Sequence, residues 1–453
     1  MGDVWFHWLE LIENFSWEYI GFPIIVLLGL YLTVSSRFVQ LRKFPDICRN
    51  FVSSFSGKEE LHSKNLHPIR AYFAAIGGSL GISNVVAVAA AIQIGGPGTI
   101  VWIWITSIIG ALIKYAEVVI GMKRRRLLAD GSYAGGPMYF LQDAFGVSWP
   151  AIIFCVLMCL YGVEVYQFGV VTSVTSNLFG VSKIVASIVF FAIVVIVEKG
   201  GFRRVGRIAT LVLPFGVLLY FFMGLYVLIV NFSALPGVFA DVLSSAFTSR
   251  AAEGAFVGSS LLLTISHGVR RGCYSSDIGV GYASMIHSKS VTTHPDRQAS
   301  LLIFEVFTDT ILLCSMSVFL VLVTGTWKET LDPMLLVQTS LGKYFPHMDI
   351  FMPLFIALLG YATTSTYFSA GMHTVKFLMP VWGRTLLYVY SVVIFSLFTF
   401  VDNNRAISLM SVIGFLLLLC NAAGIWRMRR LVSFDVTGVS ERQVAQVALQ
   451  ESS

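Results

Sequence analysis

The residues with the most chemistry to offer lie inside apolar runs. Gly77-Gly78-Ser79-Leu80-Gly81-Ile82-Ser83-Asn84 sits in the middle of the stretch 71–94. That stretch is long enough to cross a bilayer, since about 20 residues at 1.5 Å each span the hydrocarbon. Each glycine inside a helix costs roughly 1 kcal/mol relative to alanine, and Ser83 and Asn84 place polar groups at membrane depth. Non-helical backbone survives there only where protein or a water-filled cavity surrounds it. A helix interrupted at that depth starts again with unpaired N–H groups and a positive dipole end, which suit an anion. The carbonyls before the break, near Gly77 and Leu80, face the other way and suit a hard cation. The chemistry on offer is capture of a small ligand and an ion, with no bond made or broken. Glycines in membrane helices also serve close packing; Ser83 and Asn84 beside them favour binding.

Ionisable side chains inside apolar segments are functional by default. Glu164 lies one turn before Gln167 in a single expected helix, on the same face. Three roles stay open for it: a proton-coupling group, a counter-charge for an amine, or a neutral acid bonded to a neighbouring helix. Lys114 and Glu117, three apart, are expected to pair structurally along their own helix. Glu305 and Asp309 stand four apart in another span, with Asp309 functional or structural. His267 reads as a hydrogen-bonded structural residue.

The elements that must hold these residues are membrane helices. The chain has 453 residues, 56% of them hydrophobic and 12% charged, with a mean hydropathy of +0.78. Soluble domains carry about 25% charge, and runs of 18 or more apolar residues recur here. Eleven spans are expected, near 19–34, 69–94, 99–121, 150–173, 182–198, 208–230, 253–272, 299–325, 350–378, 384–401 and 406–426. An interfacial stretch occupies 235–252. With the first span set aside, ten remain as five plus five, and an odd number reverses the second set relative to the first. That gives an all-α integral membrane fold with an inverted repeat: an extra helix and loop (1–68), repeats at 69–230 and 253–427, a connection at 231–252, and a tail at 428–453. The leading spans of the two repeats, 69–94 and 253–272, are the two rich in Gly and Ser. We number the ten repeat spans as core helices 1 to 10.

Charge sets the orientation. Of the 31 Lys and Arg, 25 fall in loops on one side and 5 on the other, with Lys114 inside a span. The basic side is expected to be cytoplasmic, with the C-terminus on it and the N-terminus outside, in the plasma (bacterial inner) membrane. The net charge of +6 is thereby explained by topology, and no nucleic acid is called for. Six scattered cysteines show no disulfide framework or metal-ligand spacing, and the acidic, aromatic first residues do not resemble a cleavable signal. An enzyme is disfavoured: the chain contains no HExxH pair and no glycine-rich phosphate loop with lysine, and its GxSxG match, Gly77-Gly78-Ser79-Leu80-Gly81, lies inside an apolar span rather than on a strand-to-helix elbow. A channel is a weaker rival, since paired broken helices suit an occluded site better than a filter.

Several blocks resemble a known family, the alanine/glycine:cation symporters (sodium:alanine symporter family). Gly95-Gly96-Pro97-Gly98-Thr99-Ile100-Val101-Trp102-Ile103-Trp104-Ile105-Thr106 is similar to its signature. Lys114-Tyr115-Ala116-Glu117 and Gly135-Gly136-Pro137-Met138-Tyr139 resemble two further motifs. Gly268-Val269-Arg270-Arg271-Gly272, followed by Tyr274-Ser275-Ser276-Asp277, resembles a loop the family places after core helix 6.

The resemblance implies a leucine-transporter-type fold and uptake of alanine or glycine, in the L or D form, driven by sodium or, in some members, protons. No cofactor is implied beyond the coupling ion, and a monomer is the expected functional unit. By motif, Gly81-Ile82-Ser83-Asn84 matches the family's Gly-Thr-Gly-Asn. Backbone N–H groups near Ile82 and Ser83 would hold the substrate carboxylate, and Asn84 would sit between substrate and ion. A sodium site is implied between the carbonyls of Gly77 and Leu80 and, on core helix 8, the carbonyl of Gly360 with the hydroxyls of Thr363 and Thr364. Gln167 is implied to meet the substrate, and Tyr367 to cap the pocket where the family has tryptophan. Gly258-Ser259-Ser260 is the expected unwound part of core helix 6. The sequence departs from the pattern at Ile82, Ser83, Ser276, Asp277 and Glu164, positions that bear on substrate and ion rather than on fold. Another amino acid carried on the same fold is the alternative.

Overall fold

The computed structural model describes residues 2–56, 65–248, 261–292 and 294–437. Among these, regular structure is helical apart from a two-stranded hairpin pairing Arg126 with Ala134 and Leu127 with Tyr133. Seven helices are long and apolar enough to cross a membrane: 6–35, 99–123, 149–179, 201–230, 295–323, 348–378 and 405–431. Shorter helices Lys183–Glu198 and Gly383–Phe398 lie beside them. Many apolar side chains on the outer helices are exposed, Leu211, Phe215 and Ile188 among them, as expected of surfaces that face lipid rather than water.

Core helix 1 is broken where the glycines fall. It runs as Pro68–Ser79, a 3₁₀ turn Ile82–Asn84, and Val86–Gly95. Between them Leu80 and Gly81 leave the helical region, Gly81 at φ −104° and ψ −176°. Core helix 2, Thr99–Lys123, is continuous and almost wholly buried. It is the post on which core helix 6 hangs.

Core helix 6 differs from the expected 253–272. Among the described residues its first half is Leu261–Ser275, which runs past 272, and its second is Tyr282–His287; the pair descends alongside core helix 2. Thr264 donates to the Gly95 carbonyl at the outer end, Gly268 lies against Trp102, Gly272 against Thr106, and Ser284 against Gly121. The break is at 276–281, where Asp277, Gly279 and Gly281 all have positive φ. Only glycine adopts that region freely, and a Cβ on Gly281 would also stand 2.7 Å from the Phe154 ring. Gly258 and Ser259, the expected unwound residues, lie outside the described residues. Hydrophobic length misplaced the span because a broken helix ending in Ser, Asp and Gly is its least apolar part.

Three further corrections concern the same region. Arg270 and Arg271 belong to the first half of core helix 6, so the loop tally becomes 23 against 5, with Lys114, Arg270 and Arg271 inside spans, still strongly asymmetric. The extra N-terminal helix begins at Gly2 and runs to Ser35 through a π-helical segment, Ser16–Gly21, instead of starting near 19. Core helix 3 is two helices, Trp149–Tyr161 and Val165–Phe179. Glu164 sits at the joint with φ +50°, so it does not share a helical face with Gln167.

Candidate functional site

The two breaks lie at the same depth, between core helices 2, 3, 7 and 8. At the first, the Gly81 N–H donates to Asn84 Oδ1 at 3.0 Å and to the Ser79 carbonyl at 2.8 Å. Asn84 thus closes its own turn, as a side chain that mimics a backbone acceptor. Its amide nitrogen reaches the Asp309 carbonyl and Cys314 Sγ, each at 3.5 Å. The Ile82 N–H, expected to face a carboxylate, donates to Gln167 Oε1 at 3.2 Å. Gln167 comes from the second half of core helix 3, and its amide oxygen occupies the position an incoming anionic oxygen would take. Space there is close: a Cβ on Gly81 would meet Gln167 Nε2 at 2.8 Å and Thr363 Oγ1 at 3.1 Å. Gly360 is packed by Val171 and Ile82. Ile82, Ser83 and Asn84 are all buried, so the site is closed from both sides.

Core helix 8 supplies the other wall. Thr363 Oγ1 lies 3.5 Å from the Leu80 carbonyl and donates at 3.1 Å to its own Leu359 carbonyl. Thr366, one turn on, donates to the Ala74 carbonyl at 3.1 Å and stands beside Gly77. Thr364 Oγ1 is buried without a hydrogen-bond partner. Hydroxyl and carbonyl oxygens from two helices therefore converge on the segment 77–80, a donor set that suits a hard monovalent cation. Tyr367 lies on the basic-loop side of the break. Its ring packs against Tyr161 at 5.1 Å and Tyr282 at 4.6 Å, and Tyr282 donates to the Ala75 carbonyl. Three tyrosines from core helices 3, 6 and 8 floor the site.

Lys114 does not pair with Glu117. Its ammonium binds Glu305 Oε1 at 2.6 Å and the Ser276 carbonyl at 2.8 Å, where the first half of core helix 6 ends. Glu117 accepts from the Ser284 N–H at 3.1 Å and from Asn421 Nδ2 at 2.7 Å, where the second half begins. A cation sits on the carbonyl end of one half-helix and an anion on the amide end of the next, as the backbone dipoles require. The Lys-x-x-Glu spacing on core helix 2 matches the two lips of the break on core helix 6. Core helix 7 reaches both breaks through its carboxyls. Glu305 accepts from Ser79 Oγ at 3.0 Å, and a π-helical segment, Phe307–Cys314, presents Asp309 to Ser276 Oγ at 3.2 Å and Thr310 Oγ1 at 2.6 Å.

One chain of contacts thus runs from Ser79 through Glu305, Lys114, Ser276 and Asp309 to Asn84, joining both sides of the first break through the second. Four carboxyls, those of Glu164, Asp277, Glu305 and Asp309, are buried around it with Lys114. Glu164 is within electrostatic reach of Asp277. Glu164 Oε2, Glu305 Oε2 and Asp309 Oδ2 are buried without hydrogen-bond partners. Buried charges of one sign demand protons or cations. Sequence reasoning marked Ser276 and Asp277 only as departures from the family pattern and missed Tyr282. The signal was present in Asp277-Ile278-Gly279-Val280-Gly281, whose alternating glycines mark a chain that cannot stay helical.

Residues 2–448 match the Sodium:alanine symporter family. The chain is 32% identical over 346 residues to the transporter YflA of Bacillus subtilis, covering 75% of this chain and 73% of that protein. It is 28% identical over 324 residues to the sodium/alanine symporter AgcS of Methanococcus maripaludis, covering 70% of each. The fold is similar to the crystal structure of MhsT in complex with L-phenylalanine, with a TM-score of 0.54 and 15% identity over 80% of this chain and 89% of that one.

Proposed function

The chain belongs to the sodium:alanine symporter family, and we propose on that premise that it imports a small neutral amino acid, alanine or glycine, by alternating access. It is a cation-coupled amino acid symporter and a multi-pass membrane protein. Sodium is the coupling ion we favour, and the observation that carries the reading is the paired break. Ile82 offers an amide N–H to one partner while the carbonyl of Leu80, two residues earlier, faces Thr363. A carboxylate that displaces the Gln167 amide oxygen gains a charge-assisted bond at a site already shaped for an acceptor. A sodium ion between core helices 1 and 8 would then pin the break and neutralise the carboxylate nearby. The close packing around Gly81 and Gly360 supports a small side chain. The reading places the N-terminus outside and the C-terminus in the cytoplasm, from the basic loops, and takes the spans as eleven.

Proton coupling is the second reading, favoured by one observation: buried carboxyl oxygens of Glu305 and Asp309 without hydrogen-bond partners around Lys114, and a third on Glu164. Uptake of labelled L-alanine and glycine into reconstituted vesicles, with sodium and proton gradients imposed separately, tests both. Saturable uptake driven by the sodium gradient alone is the expected result. Uptake driven only by the proton gradient would transfer the coupling to the carboxyls, and conduction without saturation would refute a symporter.

A further inference from the structure

The chain keeps packing after core helix 10 ends. Beyond a 3₁₀ turn, Arg429–Leu431, residues 432–437 turn back across the basic-loop ends of core helices 2 and 7, and Val432 and Val436 are buried there. Lys123, the last residue of core helix 2, donates to the Leu431 carbonyl at 2.9 Å and to Ser433 Oγ at 3.0 Å. Ser433 Oγ donates in turn to Asp296 Oδ2, in the first turn of core helix 7, at 2.7 Å. The Phe434 ring lies flat on Tyr115, with centroids 5.7 Å and planes 10° apart, and the Tyr115 hydroxyl donates to Asp296 Oδ1 at 2.7 Å. Phe434 holds a φ of +55°, which an aromatic residue keeps only where its surroundings determine it. At the far end Asn50, on the helix Phe44–Ser53, donates to the Val436 carbonyl at 2.8 Å and to Ser300 Oγ of core helix 7 at 3.0 Å. The next residue, Phe51, stacks on Phe304 at 4.2 Å and meets Tyr72 edge-on at 5.0 Å. Tyr72 belongs to Pro68–Ser79, the half of core helix 1 on the basic-loop side of its break.

We propose that residues 432–437 are a strap that holds the basic-loop half of core helix 1 closed, and that lifting the strap is a step in opening the site to that side. One end is tied to core helices 2 and 7, the helices that carry Lys114 and Glu305. The other end holds Asn50, and with it the ring that braces Tyr72. Its strength suits a reversible contact. Two valines and one ring supply the buried apolar area, while the polar contacts exchange with water at little net cost. Release also relieves the left-handed conformation at Phe434. A terminal segment held by so few groups belongs to the low-stability parts of a fold, from which moving elements are drawn. The inference rests on the alternating-access reading above.

The test uses the full chain with its six native cysteines replaced and a reporter cysteine at Ser369, buried on core helix 8 on the basic-loop side of Thr363. A polar thiol reagent is applied to vesicles that expose the basic-loop side, and uptake of labelled L-alanine and glycine is measured in parallel. Phe434→Ala and Val436→Asp, which release the strap, should each raise reporter labelling several-fold. Asn50→Cys with Val436→Cys, joined by a short reducible bifunctional thiol reagent, should lower both labelling and uptake several-fold, and reductant should restore them. Thermal unfolding separates release from loss of the fold, and the joined pair tests the strap where a released chain unfolds. Labelling and uptake that stay unchanged in the released and the joined chains would overturn the strap and spare the central reading. Labelling that follows the strap in a chain that takes up neither amino acid would support the strap and overturn the substrate class.

Discussion

At the scale of residues, the determining feature is which partner each polar group finds. Asn84 and Gln167 use amide groups to satisfy backbone that the break leaves open, so the proposed site requires both to change partners when a ligand arrives. Asn84→Ala removes the acceptor for the Gly81 N–H and should abolish substrate binding while leaving the protein folded, read by size exclusion and equilibrium binding. Lys114 was legible as an intramembrane charge but not as the partner of Glu305, because that pairing spans 191 positions and depends on where core helix 6 breaks. Lys114→Ala leaves Glu305 buried and uncompensated, which should cost roughly 3–5 kcal/mol. Lys114→Met combined with Glu305→Gln should recover most of that loss in thermal unfolding. If Glu164 carries the proton, Glu164→Gln should flatten the pH dependence of uptake; an unchanged profile assigns it a structural role.

Among elements, the breaks matter more than the helices. The break in core helix 1 was legible because three glycines and an Asn interrupt an otherwise apolar span. Core helix 6 was not, since a span whose midpoint is Ser-Asp-Ile-Gly-Val-Gly reads as a loop. The joint in core helix 3 left no sequence mark beyond Gly162, and Glu164 in a left-handed conformation is uncommon for a residue with a side chain. Gly281→Ala meets both positive φ and the Phe154 ring and should destabilise the fold by roughly 1–3 kcal/mol, measured as a lowered melting temperature with uptake lost in proportion.

The loop after core helix 6 carries a further test. Lys289 is buried beside His373 Nε2 at 2.6 Å, while His373 Nδ1 contacts the Ser369 carbonyl at 2.8 Å. Burial first, and then Lys376, push the Lys289 ammonium down to about 8, against a smaller opposing pull from Asp130. A lysine whose folded value lies below its unfolded one binds fewer protons when folded. Its penalty is therefore full below about pH 8 and relieved as pH rises towards the unfolded value. Stability in detergent should gain on the order of 3 kcal/mol from this group between pH 8 and 10.5, and Lys289→Met should remove that gain.

For the whole molecule, hydropathy was enough for the class, an all-α multi-span membrane fold, and the loop charges carry the orientation proposed above. Moving Arg270 and Arg271 into a span left the asymmetry standing. What sequence could not supply is the link between the breaks: core helix 2 caps the break of core helix 6 through Lys114 and Glu117, and Glu305 of core helix 7 joins Lys114 to Ser79 of core helix 1. The proposed function takes the two breaks as one unit, with a rearrangement at one passed to the other through Lys114, Glu305 and Ser276. The most direct test of that claim is substrate protection of cysteines, in a chain whose six native cysteines are replaced. Single cysteines at Ser83, Ser276 and, away from both breaks, the exposed Ser244 are reacted with a small thiol reagent, with and without sodium and L-alanine. Protection of positions 83 and 276 together, with 244 unaffected, is the expected result. Protection at 83 with none at 276 would contradict a site built from the breaks at 80–84 and 276–281.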